Sequence, residues 1–303
     1  MKRSNRVFLL GAVYCALGFA ACRGVPAVKE GDLGSGKYLT ILNANVRRDA
    51  YEVIREKGYE IEVPDPSHPG VKHITQQFDP KLKRDVFVFH LHLSPDNDPT
   101  GPAKDRQRNE MKSWEPSPDY LKGVRGEVVI YRWKFKLPAD FAPTSRFTHI
   151  HQLKAVGGPD NAAPVITLTP RKKTAGELTM QVVYRGPMIN GKDSSNIYLT
   201  EVSLDDFLDE WVQAEERVYY GEKPEYKIGI TRVKDGKSLL QYEYDAAKWT
   251  YKDEFLTIRS GNTFVRPKWG IYRSILDNDK PIEGMKDETL SLADIQLEEE
   301  KRD

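Results

Sequence analysis

Tyr226-Lys227-Ile228-Gly229-Ile230-Thr231-Arg232-Val233, followed by Lys234-Asp235-Gly236-Lys237-Ser238 and then Leu239-Leu240-Gln241-Tyr242-Glu243-Tyr244, is the stretch that decides the fold class. Tyr226, Ile228 and Ile230 alternate with polar or small residues, the period of two that sends successive side chains to opposite faces of a strand. Asp235-Gly236 supplies the left-handed backbone that a tight reversal needs, so the stretch predicts a β-hairpin. The same alternation recurs outward, at Val86 to Leu93, Gly126 to Leu137, Phe147 to Lys154, Pro164 to Thr169 and Leu178 to Tyr184. Clusters of Pro, Gly, Asn and Asp punctuate these runs. Helical signals are few: Tyr51 to Lys57, and Leu204 to Glu210 with Ser203 placed to cap it. Many strands at regular spacing predict an all-β sandwich or jelly roll with a few short helices.

The ends of the chain read differently. Met1 to Arg6 is basic, and Val7 to Ala21 is apolar and uncharged, which is a signal peptide in length and pattern. The run ends in Leu17-Gly18-Phe19-Ala20-Ala21-Cys22, which resembles a lipoprotein signal in which Cys22 becomes the acylated first residue. Ordinary cleavage near Ala21 is the alternative. The expected organisation is therefore a signal at 1–21, a lipid-anchored linker at 22–38, one large β-domain at 39–298 and a charged tail at 299–303. Cys15 leaves with the signal and Cys22 carries lipid, so the mature domain has neither a disulfide nor a thiolate nucleophile. The formal charge is +1, and removal of residues 1–21 takes out Lys2, Arg3 and Arg6 and leaves −2. A near-neutral domain carries no argument for nucleic acid.

Three segments carry candidate chemistry, each read as extended. In Arg106-Gln107-Arg108-Asn109-Glu110-Met111-Lys112, the charged residues Arg108, Glu110 and Lys112 share one face. That face is either solvated or a cationic wall in which Glu110 positions the basic groups. In Phe147-Thr148-His149-Ile150-His151-Gln152-Leu153-Lys154, His149 and His151 share a face, and they read as packed, catalytic or metal-binding. His90-Leu91-His92 is a second His-x-His pair, but the acidic partners of a metal site are missing beside His149 and His151. In Arg266-Pro267-Lys268-Trp269-Gly270-Ile271-Tyr272-Arg273, Gly270 lies between Lys268 and Tyr272 and opens space for a ligand to approach the backbone, or the segment is simply a structural strand.

Arg-x-Glu-Met-Lys, then x-Ile-His, then Lys-x-Gly-Ile-Tyr, in that order, resemble the jelly-roll polysaccharide lyases, whose fold (a concanavalin A-like sandwich) is shared by alginate lyases, glucuronan lyases and heparin lyase I-type enzymes. The resemblance spans residues 84–275. It implies β-elimination on a uronate-containing polysaccharide, with His151, Tyr272 and Arg108 catalytic. Arg108 would neutralise the substrate carboxylate, His151 act as base or neutraliser, and Tyr272 act as acid or base. His149, Lys268, Lys112, Gln152 and Arg171 are the expected substrate-binding residues. Many alginate lyases carry Gln at the position of His149, which opens the question of which uronate is bound. The chemistry suits these residue types. A C5 proton beside an ionised carboxylate is a very weak acid, and cations on that carboxylate stabilise the charge that develops. Cations beside Tyr272 would ease its proton loss.

A hydrolase would need paired carboxylates across the scissile bond. Glu215-Glu216 and Asp205-Asp206 are adjacent in sequence and read as solvated surface. No redox cofactor or metal is required, although Ser94-Pro95-Asp96-Asn97-Asp98 has the oxygen atoms of a structural calcium loop. The expected partner is an acidic polysaccharide, with membrane contact only through the lipid anchor at an outer-membrane or cell-surface location; without acylation the exported protein is periplasmic or secreted. A non-catalytic glycan-binding lipoprotein is the alternative from a different class, and a metal-dependent cupin-like enzyme using the His-x-His pairs is the third.

Overall fold

The computed structural model describes residues 30–187 and 196–301. The signal peptide and Cys22 lie outside these residues. Two large antiparallel sheets stack into a jelly-roll sandwich. The first runs in the order β1 (Gly31–Gly34), β2 (Lys37–Leu42), β18 (Glu288–Lys301), β7 (Glu127–Lys136), β12 (Val212–Tyr220), β13 (Glu225–Arg232) and β14 (Ser238–Glu243). A hairpin of β4 (Ile74–Asp79) and β5 (Arg84–Leu91) joins it through β5 on β18. The second runs β11 (Asn196–Ser203), β10 (Leu178–Arg185), β9 (Ile166–Lys172), β8 (Thr148–Val156), β15 (Phe264–Ser274), β6 (Arg106–Lys112) and β3 (Glu60–Glu62). A small ribbon of β16 (Leu276–Asp277) and β17 (Lys280–Pro281) stands apart.

The core lies between the sheets, where the period-two apolar faces meet. Tyr131, Trp133 and Phe135 of β7 oppose Leu153, Leu168, Trp269 and Ile271 of the second sheet, all buried. Trp133 and Trp269 meet across the gap with ring centroids 6.1 Å apart. Each such side chain stabilises the fold by roughly 1.5–3 kcal/mol through burial alone. The Asp235-Gly236 hairpin forms as expected: the Arg232 amide donates to the Lys237 carbonyl at 2.8 Å, and Gly236 takes φ +70°. Asp49 caps the one α-helix among the described residues, α1 (Ala50–Glu56), by accepting from the Tyr51 and Glu52 amides.

Three expectations need correction. The linker ends earlier than residue 38, because Gly31–Gly34 is strand β1 and Ser35-Gly36 is the reversal into β2, with Gly34, Ser35 and Gly36 all at positive φ. The charged tail expected at 299–303 is part of the sandwich as far as Lys301, because β18 stays paired with β7 and β2 and Glu299 is buried. The segment after Ser203 makes only a single 3-10 turn at Asp205–Phe207, with the Ser203 hydroxyl accepting from the Asp205 amide at 3.2 Å.

One irregularity decides the site. Along β6 and β15 the pairing is regular, with Lys268 opposite Lys112 and Tyr272 opposite Arg108. Between β15 and β8 it slips: Trp269 pairs with His151, but Tyr272 pairs with His149. Two residues of β15, Gly270 and Ile271, therefore stand against Ile150 alone, which is a β-bulge. The bulge turns Ile150 and His151 both toward the core and leaves His149 and Gln152 on the outer face, so the simple alternation of β8 fails at this point.

Candidate active site

The outer face of the second sheet holds a groove of about 660 Å³, lined by Arg106, Arg108, Arg146, Phe147, His149, Gln152, Lys154, Arg171, Arg185, Tyr198 and Tyr272 among others. Its character is basic and aromatic. Of the expected site residues it gathers Tyr272, Arg108, His149, Gln152 and Arg171.

His149 and Tyr272 face each other across the β8–β15 pairing with ring centroids 5.9 Å apart, and Phe147 packs on both. His149 Nδ1 lies 2.8 Å from the Thr169 hydroxyl, which lies 2.8 Å from the Thr167 hydroxyl. When Nδ1–H donates along that chain, the Nε2 lone pair is left for a groove ligand. Burial, reinforced by Arg171, Arg108 and Lys268, pushes the imidazole down to about 3 against the opposing pull of Glu110, so it is neutral at ordinary pH. The Tyr272 hydroxyl accepts from Arg106 Nη1 at 2.9 Å, and its ring covers the Arg108 guanidinium at 3.7 Å. Burial raises the phenol above its ordinary value and outweighs the pull of Arg108 and Arg106, so the expectation of an eased proton loss is corrected: Tyr272 is held as the protonated acid.

Beneath this pair lies a charge lattice. Arg108 donates to Asp98 through Nε at 3.0 Å and Nη2 at 3.1 Å, to Glu110 at 2.6 Å and to Glu62 at 3.4 Å. Lys268 contacts Glu62 at 2.5 Å and Glu110 at 2.7 Å, Lys112 bonds Glu62, and Gln152 bonds Glu110. Glu110 thus does position the basic groups. The cations, however, are engaged by it and its neighbours. Lys268 is 1% exposed and, with Lys112, stays below the groove wall rather than reaching a ligand. Arg108 is 8% exposed, with four of its five donors directed to carboxylates, so it supports the Tyr272 ring and does not offer a free fork for a sugar.

The clearest correction is His151. It is 1% exposed, packs at a tilt against Trp133 with ring centroids 4.5 Å apart, and bonds Glu216 Oε2 through Nε2 at 2.8 Å. Glu216 in turn accepts from the Tyr226 hydroxyl at 2.8 Å. This trio ties the two sheets together inside the core. It also corrects the reading of Glu216 as solvated, since only Glu215 of that pair is exposed.

Other cations that line the groove are residues that sequence reasoning assigned less weight or missed. Arg171 donates to Gln181 Oε1 at 2.8 Å and to the carbonyls of Ser145 and Arg146, all neutral acceptors. Lys154 donates to the carbonyls of Asn161 and Ala162, and burial with repulsion from Lys268, Arg266 and Arg108 pushes it down to about 7. Arg106 was detectable, since it lies two residues before Arg108 on the same strand face. Tyr198 and Lys154 carried no such local signal.

The two His-x-His pairs do not form one centre. His90 Nε2 meets the Thr75 hydroxyl at 2.8 Å, while His92 turns toward His68, His73 and Asp96. The Ser94–Asp98 loop does not gather its oxygens as a calcium loop would: Asp96 faces those histidines and Asp98 holds Arg108.

This is an all-β jelly-roll chain with a basic groove on its outer sheet. Among the solved structures it resembles are polysaccharide lyases. An endo-β-1,4-glucuronan lyase from the fungus Trichoderma reesei superimposes with a TM-score of 0.51 at 14% identity, covering 78% of this chain and 94% of that one. A marine PL-14 alginate lyase from Aplysia kurodai gives 0.51 at 12% identity, covering 85% and 97%. A family 7 alginate lyase in complex with its substrate gives 0.50 at 14% identity, covering 81% and 94%. No protein-family model and no curated protein sequence matches the chain.

Proposed function

We propose that the protein is a polysaccharide lyase that cleaves a uronate-containing glycan by β-elimination, with His149 as base and Tyr272 as acid. The observation that carries this reading is the juxtaposition of a neutral imidazole and a protonated phenol, 5.9 Å apart, in one cation-lined groove. The likeness to glucuronan and alginate lyases supports the choice of substrate class. Arg171 and Lys154 receive the uronate carboxylate and stabilise the charge that develops next to C5. His149 Nε2 takes the C5 proton, the bond from C4 to its glycosidic oxygen breaks, a C4–C5 double bond forms, and Tyr272 protonates the departing oxygen. Arg106, already donating to the Tyr272 oxygen, stabilises the phenolate left behind. An imidazole near 3 is a weak base in the free groove, but the entering carboxylate is an anion that raises it toward the useful range.

The second reading is a glycan-binding protein without catalysis. It is favoured by the withdrawal of His151 into the core and the engagement of Arg108 by carboxylates, which leave only part of the constellation implied by the family resemblance. One experiment separates the two: polyglucuronate, alginate and glycosaminoglycans are each incubated with the protein while ultraviolet absorbance of the unsaturated uronate is followed. Rising absorbance that Tyr272→Phe removes supports the lyase, whereas binding without absorbance on every glycan supports the binder. Export and acylation at Cys22 belong to the same proposal and place the groove at the cell surface, which mass spectrometry of the mature N-terminus tests.

A further inference from the structure

At the edge where β5 of one sheet faces β6 of the other, three imidazoles surround one carboxylate. His68 Nδ1 and His73 Nε2 each lie 3.0 Å from Asp96 Oδ1, and His92 Nδ1 lies 3.2 Å from Oδ2. The three ring centroids form a near-regular triangle with sides of 5.4, 4.9 and 5.2 Å. One ligand atom from each of the four residues lies within 4.8 Å of every other. Donors bound at zinc distances in a tetrahedron stand ~3.3 Å apart, so the widest pair closes by at most about 1.5 Å when an ion binds.

The surroundings are built to hold this set. His73 precedes β4 and His92 follows β5, so the hairpin pairing brings them side by side, with the His90 amide bonded to the His73 carbonyl at 2.8 Å. Asn109 of β6 donates to the carbonyls of His73 and His90, and Gln107 donates to those of His92, Leu93 and Asp96. His73 is fully buried, and its other ring nitrogen, Nδ1, meets Asp65 Oδ1 at 2.7 Å, while the same Asp65 carboxylate accepts from Tyr51. A neutral imidazole donates through one nitrogen only, yet His73 has a carboxylate oxygen against both. With Nδ1–H donating to Asp65, Nε2 carries a lone pair aimed at the cluster, which is the carboxylate–histidine–metal arrangement of outer-shell support.

We infer that His68, His73, His92 and Asp96 form a binding site for one zinc-class divalent ion. Four protein donors fill a tetrahedral shell and leave no open position, which marks a structural centre. The ion's two charges balance Asp96 and Asp65. An imidazole-rich set favours zinc over calcium or magnesium. The ion fastens the loop between β5 and β6, and through Asp98 that loop grips Arg108 under Tyr272.

The test needs no enzymatic activity, so it stands or falls apart from the lyase reading. The full-length chain, purified without a polyhistidine tag and stripped with a chelator, is titrated with zinc chloride alone and separately with cobalt(II). The expected result is about one equivalent bound per chain, a higher Tm with zinc, and the intense visible absorption of tetrahedral cobalt. His68→Ala and His92→Ala, whose rings are partly exposed and can be removed without emptying the core, are each expected to weaken zinc binding more than ~10-fold. Failure to bind zinc stoichiometrically, an unshifted Tm, or unchanged affinity in both variants overturns the site.

Discussion

Gly270→Ala tests whether the close approach of β15 to β6 is what shapes the groove. Gly270 takes φ +140°, and a Cβ built there lies 2.6 Å from the Glu110 Cα and closer still to the Asn109 carbonyl oxygen. Both obstacles are backbone, so no side chain can swing aside. Overpacking of this kind costs about 1–3 kcal/mol, and the disfavoured backbone conformation adds about 1–3 kcal/mol more. Set against a typical domain stability of roughly 5–15 kcal/mol, a loss of ~3 kcal/mol lowers Tm by roughly 6–12 °C. Urea and thermal denaturation followed by far-ultraviolet circular dichroism measure it, with Gly229→Ala as control, because nothing lies within 4 Å of a Cβ at Gly229. If Gly270→Ala lost less than ~1 kcal/mol, or no more than the control, the tight β6–β15 contact would not hold the bulge and the account of the groove would be wrong.

Glu216→Ala removes the acceptor shared by His151 and Tyr226 inside the core, and a loss of about 3–5 kcal/mol in urea denaturation is expected. Glu127 is pushed up to about 8 by burial and by its hydrogen bond with Glu299. The folded state therefore keeps a proton that the unfolded chain releases above its ordinary 4.5, so the stabilisation is complete below that value and is lost as pH rises toward 8. Unfolding free energies measured from pH 5 to 8 should decline less steeply in Glu127→Gln than in the parent protein; parallel profiles would refute the assignment. Arg171→Ala should weaken binding of a polyuronate roughly 10–100-fold and flatten its salt dependence, as measured by titration calorimetry at two ionic strengths.

The sandwich was legible because its signals are local. The Tyr226 to Tyr244 hairpin, the alternation of β7 and β10 and the Asp-Gly turn each depend on neighbours in sequence. The position of Tyr272, with Arg108 and Lys268 on the same side of their paired strands, followed from the same periodicity. What periodicity cannot show is a bulge, because the slip between β8 and β15 depends on which strand lies alongside. That single slip reversed the placement of His151 and promoted His149. The engagement of Arg108 was hidden for a related reason, since Glu62 and Asp98 come from segments 46 and 10 residues away in sequence. His68, His73, His92 and Asp96 likewise have no shared spacing and meet only once β4, β5 and the loop before β6 are in place.

The most direct test compares two histidines two residues apart. On whichever polyuronate yields unsaturated product, kcat per folded molecule is measured for His149→Ala and His151→Gln, with Tm recorded for both. The account predicts that His149→Ala keeps its Tm and loses ~10²–10⁴ in rate, while His151→Gln melts lower but turns over at nearly the parent rate. A silent His151→Gln beside an active His149→Ala would contradict it.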